Sequence, residues 1–357
     1  MKNIMKYMLV AITALSFSVA QAGELSVTGA AKASYVISSS DSTAAKNDIA
    51  KGLGVSNEFT LSASGELDNG FTWNYATDID GATVQDDGKL TLTTPMGTVG
   101  VFISEGGLDV DNAASQSVVS RPSDTSYAEG MVDSWDISGM NTLQYHTAAD
   151  MLPFGIAVKV AHAPNMVAGL TSYEAAGAIN TGTFTAPATA GVVTQTADMG
   201  RTATHYQVKA SPIEGLNVGA DFIEFGGVDG ATAQDPESGS YYVTYAVGPA
   251  TIGYSKNFLA TAMTTAATDY IESIEGTKYS IAFNVNDNLS VSYENEESNP
   301  DNKTAATANY TMESSGIQAA YTMGGMTLAI AMNEHENATY LQNKDVTDTV
   351  FSVAMAF

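Results

Sequence analysis

Carboxylates are concentrated between Gly106 and Gly139, a segment that contains a single base. The base is Arg121, which precedes Pro122. The acids are Asp109, Asp111, Asp124, Glu129, Asp133 and Asp136, with Glu105 just before the segment. Side chains of one sign attract counter-ions or face groups of opposite sign elsewhere in a fold. The chemistry offered here is therefore electrostatic.

Five lysines share one phase in the alternation of apolar and polar residues along the chain. Each lies between apolar neighbours, and they are Lys32, Lys89, Lys159, Lys209 and Lys278. His146 and His205 have the same phase, whereas Lys256 breaks it. Successive side chains of a strand point to opposite faces, so we expect these lysines opposite the apolar residues. Lys256 is expected near a rim, with its ammonium group reaching water.

Metal-ligating patterns in the sequence are weak. Asp78-Ile79-Asp80-Gly81 with Asp86-Asp87 resembles part of a calcium loop, but the closing Glu of that loop is missing. The chain has no cysteine, and its histidines lack zinc-ligand spacing: His146, His162, His205 and His335. We predict no cofactor and no defined metal site, and loop-bound Ca²⁺ stays open as an alternative.

Enzymatic and nucleic-acid-binding functions are disfavoured. A hydrolase needs a serine, a histidine and an orienting polar group brought together, and no Gly-x-Ser-x-Gly elbow occurs. The 39 acidic residues outnumber the 14 basic ones, which is the wrong sign for phosphate backbones. We therefore predict neither an enzyme nor a nucleic-acid partner.

The N-terminus has the pattern of a secretory signal peptide. Lys2 and Lys6 precede an apolar run over 7–20, and Ala20-Gln21-Ala22 follows as a cleavage site. We predict a signal peptide over residues 1–22 and a mature domain over 23–357, with 12 basic residues left against 39 acids. No later run approaches the roughly 20 apolar residues that a spanning helix requires.

Seven tight turns divide the mature chain. They contain Gly, Pro, Asn or Asp, residues that suit turn dihedrals, and lie near 68–70, 95–97, 150–153, 211–215, 248–250, 286–288 and 323–325. Each turn joins two strands and each end of the chain adds one, so sixteen strands are predicted. Their ranges are 24–37, 53–67, 70–79, 88–95, 97–105, 141–149, 154–163, 202–211, 215–225, 240–248, 250–259, 275–285, 288–296, 311–322, 326–333 and 346–357.

The fold predicted from this pattern is an all-β, transmembrane antiparallel β-barrel. In the last strand Phe351, Val353, Met355 and Phe357 share one face, with small residues between them, as expected between lipid and a polar interior. A soluble two-sheet sandwich also alternates, but its long loops fall at both ends. Here every second connection is tight and the others are long, which favours a closed barrel.

The signal peptide, the sixteen strands, the long third loop and the terminal Phe357 resemble the general-diffusion porins of Gram-negative outer membranes. The resemblance is architectural and covers the whole mature chain. It implies a homotrimer in the cell outer membrane, contact with lipid and lipopolysaccharide, and insertion by the barrel assembly machinery, with Phe357 as the assembly signal. It also implies passive diffusion of small hydrophilic solutes and ions.

In that family the third external loop folds into the barrel and forms a constriction, which corresponds here to about 106–139. The resemblance then implies an acidic side comprising Glu105, Asp109, Asp111, Asp124 and Glu129, and a basic side comprising Lys32, Lys89, Lys159, Lys209, Lys278 and Arg121. Opposed charges of this kind create a transverse field that orients dipolar solutes. We assign the other acids, Glu294 and Glu296 among them, to external segments, and we expect weak cation selectivity.

Two alternatives stay open. A substrate-specific channel for sugars would present an aromatic slide, and one for anions would present a basic cluster. Inward aromatics are few, Phe102 being the clearest, and the only arginines are Arg121 and Arg201. A structural or enzymatic barrel is the more distant alternative.

Overall fold

The computed structural model describes residues 25–40, 51–80, 83–124, 131–164, 183–184, 197–198, 202–226, 232–234, 236–260, 263–264, 271–302 and 310–356. The predicted signal peptide, Glu129, Arg201 and Phe357 lie outside these ranges. Among the described residues, no helix has the length and apolar character needed to cross a membrane.

Sixteen antiparallel strands form one closed sheet. They are β1 (Leu25–Ser39), β2 (Lys51–Glu66), β3 (Thr72–Asp80), β4 (Thr83–Thr94), β5 (Gly97–Ile103), β6 (Thr142–Thr147), β7 (Ala157–Ala163), β8 (Thr202–Ile213), β9 (Leu216–Gly226), β10 (Glu237–Val247), β11 (Ala250–Ala260), β12 (Ile271–Asn284), β13 (Leu289–Asn302), β14 (Met312–Met323), β15 (Met326–Glu336) and β16 (Val346–Ala356). Each strand pairs with its neighbours in sequence, and β1 also pairs with β16, for example Tyr35 with Phe351. The predicted sixteen-stranded barrel is confirmed, and this closure leaves no free sheet edge.

The two faces of the sheet differ in character. On β12, Tyr279, Ile281 and Phe283 are 52%, 44% and 43% exposed, whereas the alternating Lys278 and Ser280 are buried. β10 shows the same alternation, with Tyr241 and Tyr245 exposed and Tyr242 and Thr244 buried, so one face of the barrel is apolar and exposed. We call these the apolar face and the polar face. Their separation follows from the period of two in the sequence.

The tight turns all lie at one end of the barrel, called here the turn end, and the longer connections lie at the loop end. At the β8–β9 turn, Gly215 has φ +79°, and a Cβ at this position would lie 2.6 Å from the carbonyl oxygen of Ala246. Glycine is needed here for both reasons. All seven predicted turns join the strand pairs to which the sequence assigned them.

Several strands extend further toward the loop end than predicted. β4 begins at Thr83 instead of 88, β12 begins at Ile271 instead of 275, and β13 ends at Asn302 instead of 296. The hydrophobic alternation is irregular there, but the backbone ladder continues, as in the pairing of Ile274 with Pro300. β7, in contrast, is shorter than predicted. It begins at Ala157 instead of 154, because Pro153–Gly155 form a 3₁₀ turn.

Candidate functional site

The connection between β5 and β6 contacts side chains on the polar face of the barrel wall. We call residues 104–141 the long loop. Its first and last parts come together because Asp136 Oδ1 accepts hydrogen bonds from the backbone N–H groups of Leu108 at 2.8 Å and Ile137 at 2.7 Å. One carboxylate thus closes the base of the loop.

An apolar cluster holds this base against the wall. Leu108 and Ile137 are fully buried, and they pack with small or branched side chains of β7, β8 and β9, namely Ala161, Ala163, Ala203 and Ile223. Burying each large aliphatic side chain contributes about 1.5–3 kcal/mol. At this place the side chains on the otherwise polar face are apolar. The apolar side chains at the base of the loop therefore pack against an apolar patch of the wall.

Further along, side chains of the wall accept hydrogen bonds from the backbone of the long loop. The N–H of Val110 donates to Asp221 on β9 at 3.0 Å, and that of Val118 donates to Ser292 on β13 at 3.0 Å. The N–H of Val119 donates to Gln318 on β14 at 2.9 Å. A loop without regular structure must satisfy its backbone groups elsewhere, and these wall side chains do so.

Charged groups of the loop and the wall meet in one buried cluster. Lys278 Nζ on β12 lies 2.8 Å from Asp133 Oδ1 and 3.4 Å from Asp111 Oδ2. Arg121 lies 2.9 Å from Asp133 and 3.2 Å from Glu296 on β13. The side chain of Lys278 is 3% exposed, and those of Asp111 and Glu296 are fully buried. Asn112 accepts hydrogen bonds from both cations.

Two loop members of this cluster, Asp133 and Arg121, are held in their charged forms. Burial by itself would raise the pKa of Asp133, but the charges of Lys278 and Arg121 outweigh it and lower that pKa to about 2. Burial opposes the charge of Arg121 as well, yet Asp133 and Asp124 raise its pKa above the usual range. Removing one partner would leave the others charged and buried, which is costly.

A second electrostatic contact involves His205 on β8. Its Nε2 lies 2.9 Å from Asp221 Oδ2, and its Nδ1 lies 3.3 Å from Asp136 Oδ1 in the loop. Burial would raise the pKa of Asp136, but the nearby His205 and the Leu108 N–H hold it below the usual range. The imidazole therefore connects the base of the loop to the wall.

Asp109 behaves in the opposite way. Burial, a hydrogen bond with Asp111 and the negative charge of Asp136 raise its pKa to about 9. Asp109 is consequently protonated at neutral pH and adds no negative charge to the loop.

The remaining site residues divide into paired and unpaired groups. Lys89 forms an ion pair with Glu105, and Asp124 forms one with Arg121 at 2.7 Å. In contrast, no carboxylate oxygen of the described residues lies within 4.0 Å of the ammonium groups of Lys32, Lys159 or Lys209. Lys256 lies on the apolar face and pairs with Glu275 at 2.9 Å.

Two functional acids were assigned wrongly from the sequence. Glu294 and Glu296 are not in an external segment: they lie on the polar face of β13 and are fully buried. Glu296 accepts from the Ser123 N–H at 2.9 Å, and Glu294 accepts from the Ser117 hydroxyl at 2.7 Å. Polar residues at every second position from Ser290 to Ser298 were the available signal.

A serine, a histidine and an aspartate do come together on β14, β15 and β16. Ser314 Oγ lies 2.9 Å from His335 Nδ1, and His335 Nε2 lies 2.8 Å from Asp348 Oδ1. This combination activates serine in hydrolases when the hydroxyl faces substrate. Here Ser314 is fully buried and His335 is 1% exposed, so the arrangement crosslinks three strands and presents no accessible nucleophile.

Within the described part of the chain, no group of three or more His, Cys, Asp or Glu side chains has the geometry of a metal site. Asp78 and Asp80, the start of the calcium-like fragment, lie within strand β3. Gly81 is outside the described residues.

The sequence matches no protein-family model and no curated protein. Solved structures match the fold over 94% of this chain. A refined porin structure is 12% identical with a TM-score of 0.58, and the anion-selective porin from Comamonas acidovorans is 12% identical with a TM-score of 0.65. The trimer form of OmpT, an outer membrane protein of Vibrio cholerae, is 10% identical with a TM-score of 0.61. The match covers 100% of each of the three chains. At such identities the likeness establishes a shared fold.

Proposed function

We propose that this chain, which shares the fold of solved porins, forms a water-filled channel in the outer membrane for passive diffusion of small hydrophilic solutes and ions. The observation that carries the proposal is the closed barrel with an exposed apolar face and a polar face opposite to it. Lipid is the solvent that suits a continuous apolar exterior, and water suits the polar interior.

The long loop then lies inside the channel. In support, it forms hydrogen bonds or ion pairs with polar-face residues of each strand from β8 to β14, among them Asp221, Lys278 and Gln318. A loop on the apolar face would not meet these side chains. The open path is therefore bounded by the loop on one side and by β15, β16 and β1–β4 on the other.

The charge distribution supports weak cation selectivity. Several loop acids have cationic partners and Asp109 is protonated, so the negative charge of the described part of the loop is partly compensated. On the opposite side, Glu58 and Asp78 lie on the polar faces of β2 and β3. Their carboxylates attract cations, while the unpaired lysines oppose this attraction.

Location, oligomeric state and biogenesis form part of the same proposal. The signal peptide directs export, Phe357 serves assembly by the barrel assembly machinery, and the exposed apolar face contacts lipid, lipopolysaccharide and two further copies in a homotrimer. The trimer form of OmpT, with the same fold, supports the last point.

A substrate-specific sugar channel is the alternative, and one observation weakens it. The aromatic side chains that a sugar slide would need are covered: on the polar face Phe102 is 5% exposed and Tyr242 is 8% exposed. Neither Phe102 nor Tyr242 therefore presents an exposed ring face on which a sugar could stack.

Swelling of liposomes that contain the purified protein tests this function. We expect uptake rates of neutral sugars to fall smoothly with molecular mass, as for an unspecific pore. One sugar entering far faster than others of its size would support the specific channel instead. Liposomes that admit none of these solutes would contradict a diffusion channel.

A further inference from the structure

One histidine and two lysines lie side by side on the polar face of β6, β7 and β8, near the turn end. His146 pairs directly with Lys159, and Lys159 pairs with Gln207. Lys209 follows Gln207 by two positions, so it shares the same face. Residues directly opposite one another are about 4.5–5.5 Å apart and diagonal ones about 7–8 Å apart. The flexible lysine side chains can therefore converge on one small ligand.

These lysines differ from the cations bound to the loop. Lys89 and Lys278 each have a carboxylate partner in the described structure. Lys159 and Lys209 have no carboxylate within 4.0 Å among the described residues. Two neighbouring ammonium groups repel each other unless an anion compensates them, and no carboxylate of the described residues does so here.

Neighbouring groups orient two of the cluster's members. Lys209 Nζ lies 5.9 Å from the ring centroid of Tyr242, and its side chain passes over Gly219, where a Cβ would lie 3.0 Å from Lys209 Cγ. His146 Nε2 lies 2.9 Å from Gln144 Oε1. The amide of Gln144 is fixed because its nitrogen donates to the carbonyl of Gly106 at 2.7 Å and to Thr142 at 2.9 Å.

We propose that Lys159 and Lys209, with His146 beside them, form a binding subsite for small oxyanions in the turn-end half of the channel. The ligand class comprises inorganic phosphate, sulfate and the anionic groups of small solutes. Ammonium groups act as point charges without the planar fork of arginine, so the subsite is weak, exchanges quickly and does not select among oxyanions. This inference deepens the proposed channel function and rests on it for its physiological role.

The subsite can be tested without measuring transport. Inorganic phosphate is titrated with protein in octyl glucoside, and its ³¹P NMR line width is recorded. We expect line broadening by the wild-type protein. In Lys159→Gln/Lys209→Gln the dissociation constant for phosphate should rise about tenfold or more, because each hydrogen bond to a charged group contributes about a tenfold change in affinity or more. Lys256→Gln, which removes a lysine from the apolar face, should leave the broadening unchanged.

Reversal potentials in planar bilayers provide the second readout. Under a KCl gradient the double variant should be more cation-selective than the wild-type protein. Added phosphate should lower the conductance of the wild-type protein but not that of the double variant. Equal broadening by the wild-type and double-variant proteins, both folded by circular dichroism, would overturn the subsite. Phosphate binding in a protein without conductance would instead preserve the subsite and contradict the channel.

Discussion

The ammonium group of Lys278 on β12 lies 2.8 Å from a carboxylate oxygen of Asp133, a residue of the long loop 145 positions away. Together with Arg121, Asp111 and Glu296, this pair fixes the middle of the loop to the wall. The lysine that the sequence placed opposite the loop acids is in direct contact with them. The cluster therefore acts as an anchor for the loop, and the following predictions depend on that role.

Replacing Lys278 by Met should release the loop. Asp111, Asp133 and Glu296 would lose a buried partner, a change that costs about 3–5 kcal/mol. The measurement is amide hydrogen exchange at Val110 and Val118, whose N–H groups are bonded to wall side chains. Lys32→Met, which removes an unpaired lysine from the same face, is the control. Equal protection in both variants would exclude the anchor.

Docking of the loop should weaken in acid. The folded pKa of Asp133 is lowered to about 2, below its ordinary value of 3.8, so its stabilisation is present above pH 3.8 and is lost as the pH falls through about 2. Asp133→Asn should weaken docking at neutral pH and remove this part of the pH dependence. Hydrogen exchange between pH 2 and pH 5 would show the difference. An unaltered acid profile in the variant would refute the assignment.

Asp109 should produce the opposite dependence. Its folded pKa is raised to about 9, so docking is favoured below pH 3.8 and loses stability progressively as the pH rises toward 9. Asp109→Asn mimics the protonated acid, and we expect it to protect the loop more strongly than wild type at pH 8 but not at pH 3.5. Asp124→Asn alters a half-exposed carboxylate of the same loop and should not reproduce this pattern. A gain in protection by Asp109→Asn over wild type that is larger at pH 3.5 than at pH 8 would contradict the account.

Gly253→Ala should displace the loop from β11. A Cβ at Gly253 would lie 2.9 Å from the carbonyl carbon of Ala114 and 2.6 Å from Ser280 Oγ. Because the carbonyl belongs to backbone, the loop must move, and we expect a larger single-channel conductance. Gly54→Ala, on the polar face of β2 with open space around its Cβ, is the matched control. A conductance equal to that of the control would show that the loop does not restrict the path.

The strands, their faces and the tight turns could be predicted because they depend on local alternation and turn residues. The lysines on the polar face followed from the same rule. The contacts of the loop did not, since Val110 with Asp221 and Val119 with Gln318 join residues 111 and 199 positions apart. Glu294 and Glu296 were misplaced for a related reason: their loop partners Ser117 and Ser123 lie 177 and 173 positions away.

The most direct test of the channel is the single-channel current of the purified protein in a planar bilayer, with the reversal potential measured under a KCl gradient. We predict stepwise conductance in groups of three and a weak preference for cations. A folded, bilayer-inserted protein that carries no current would contradict the account and favour a plugged or structural barrel.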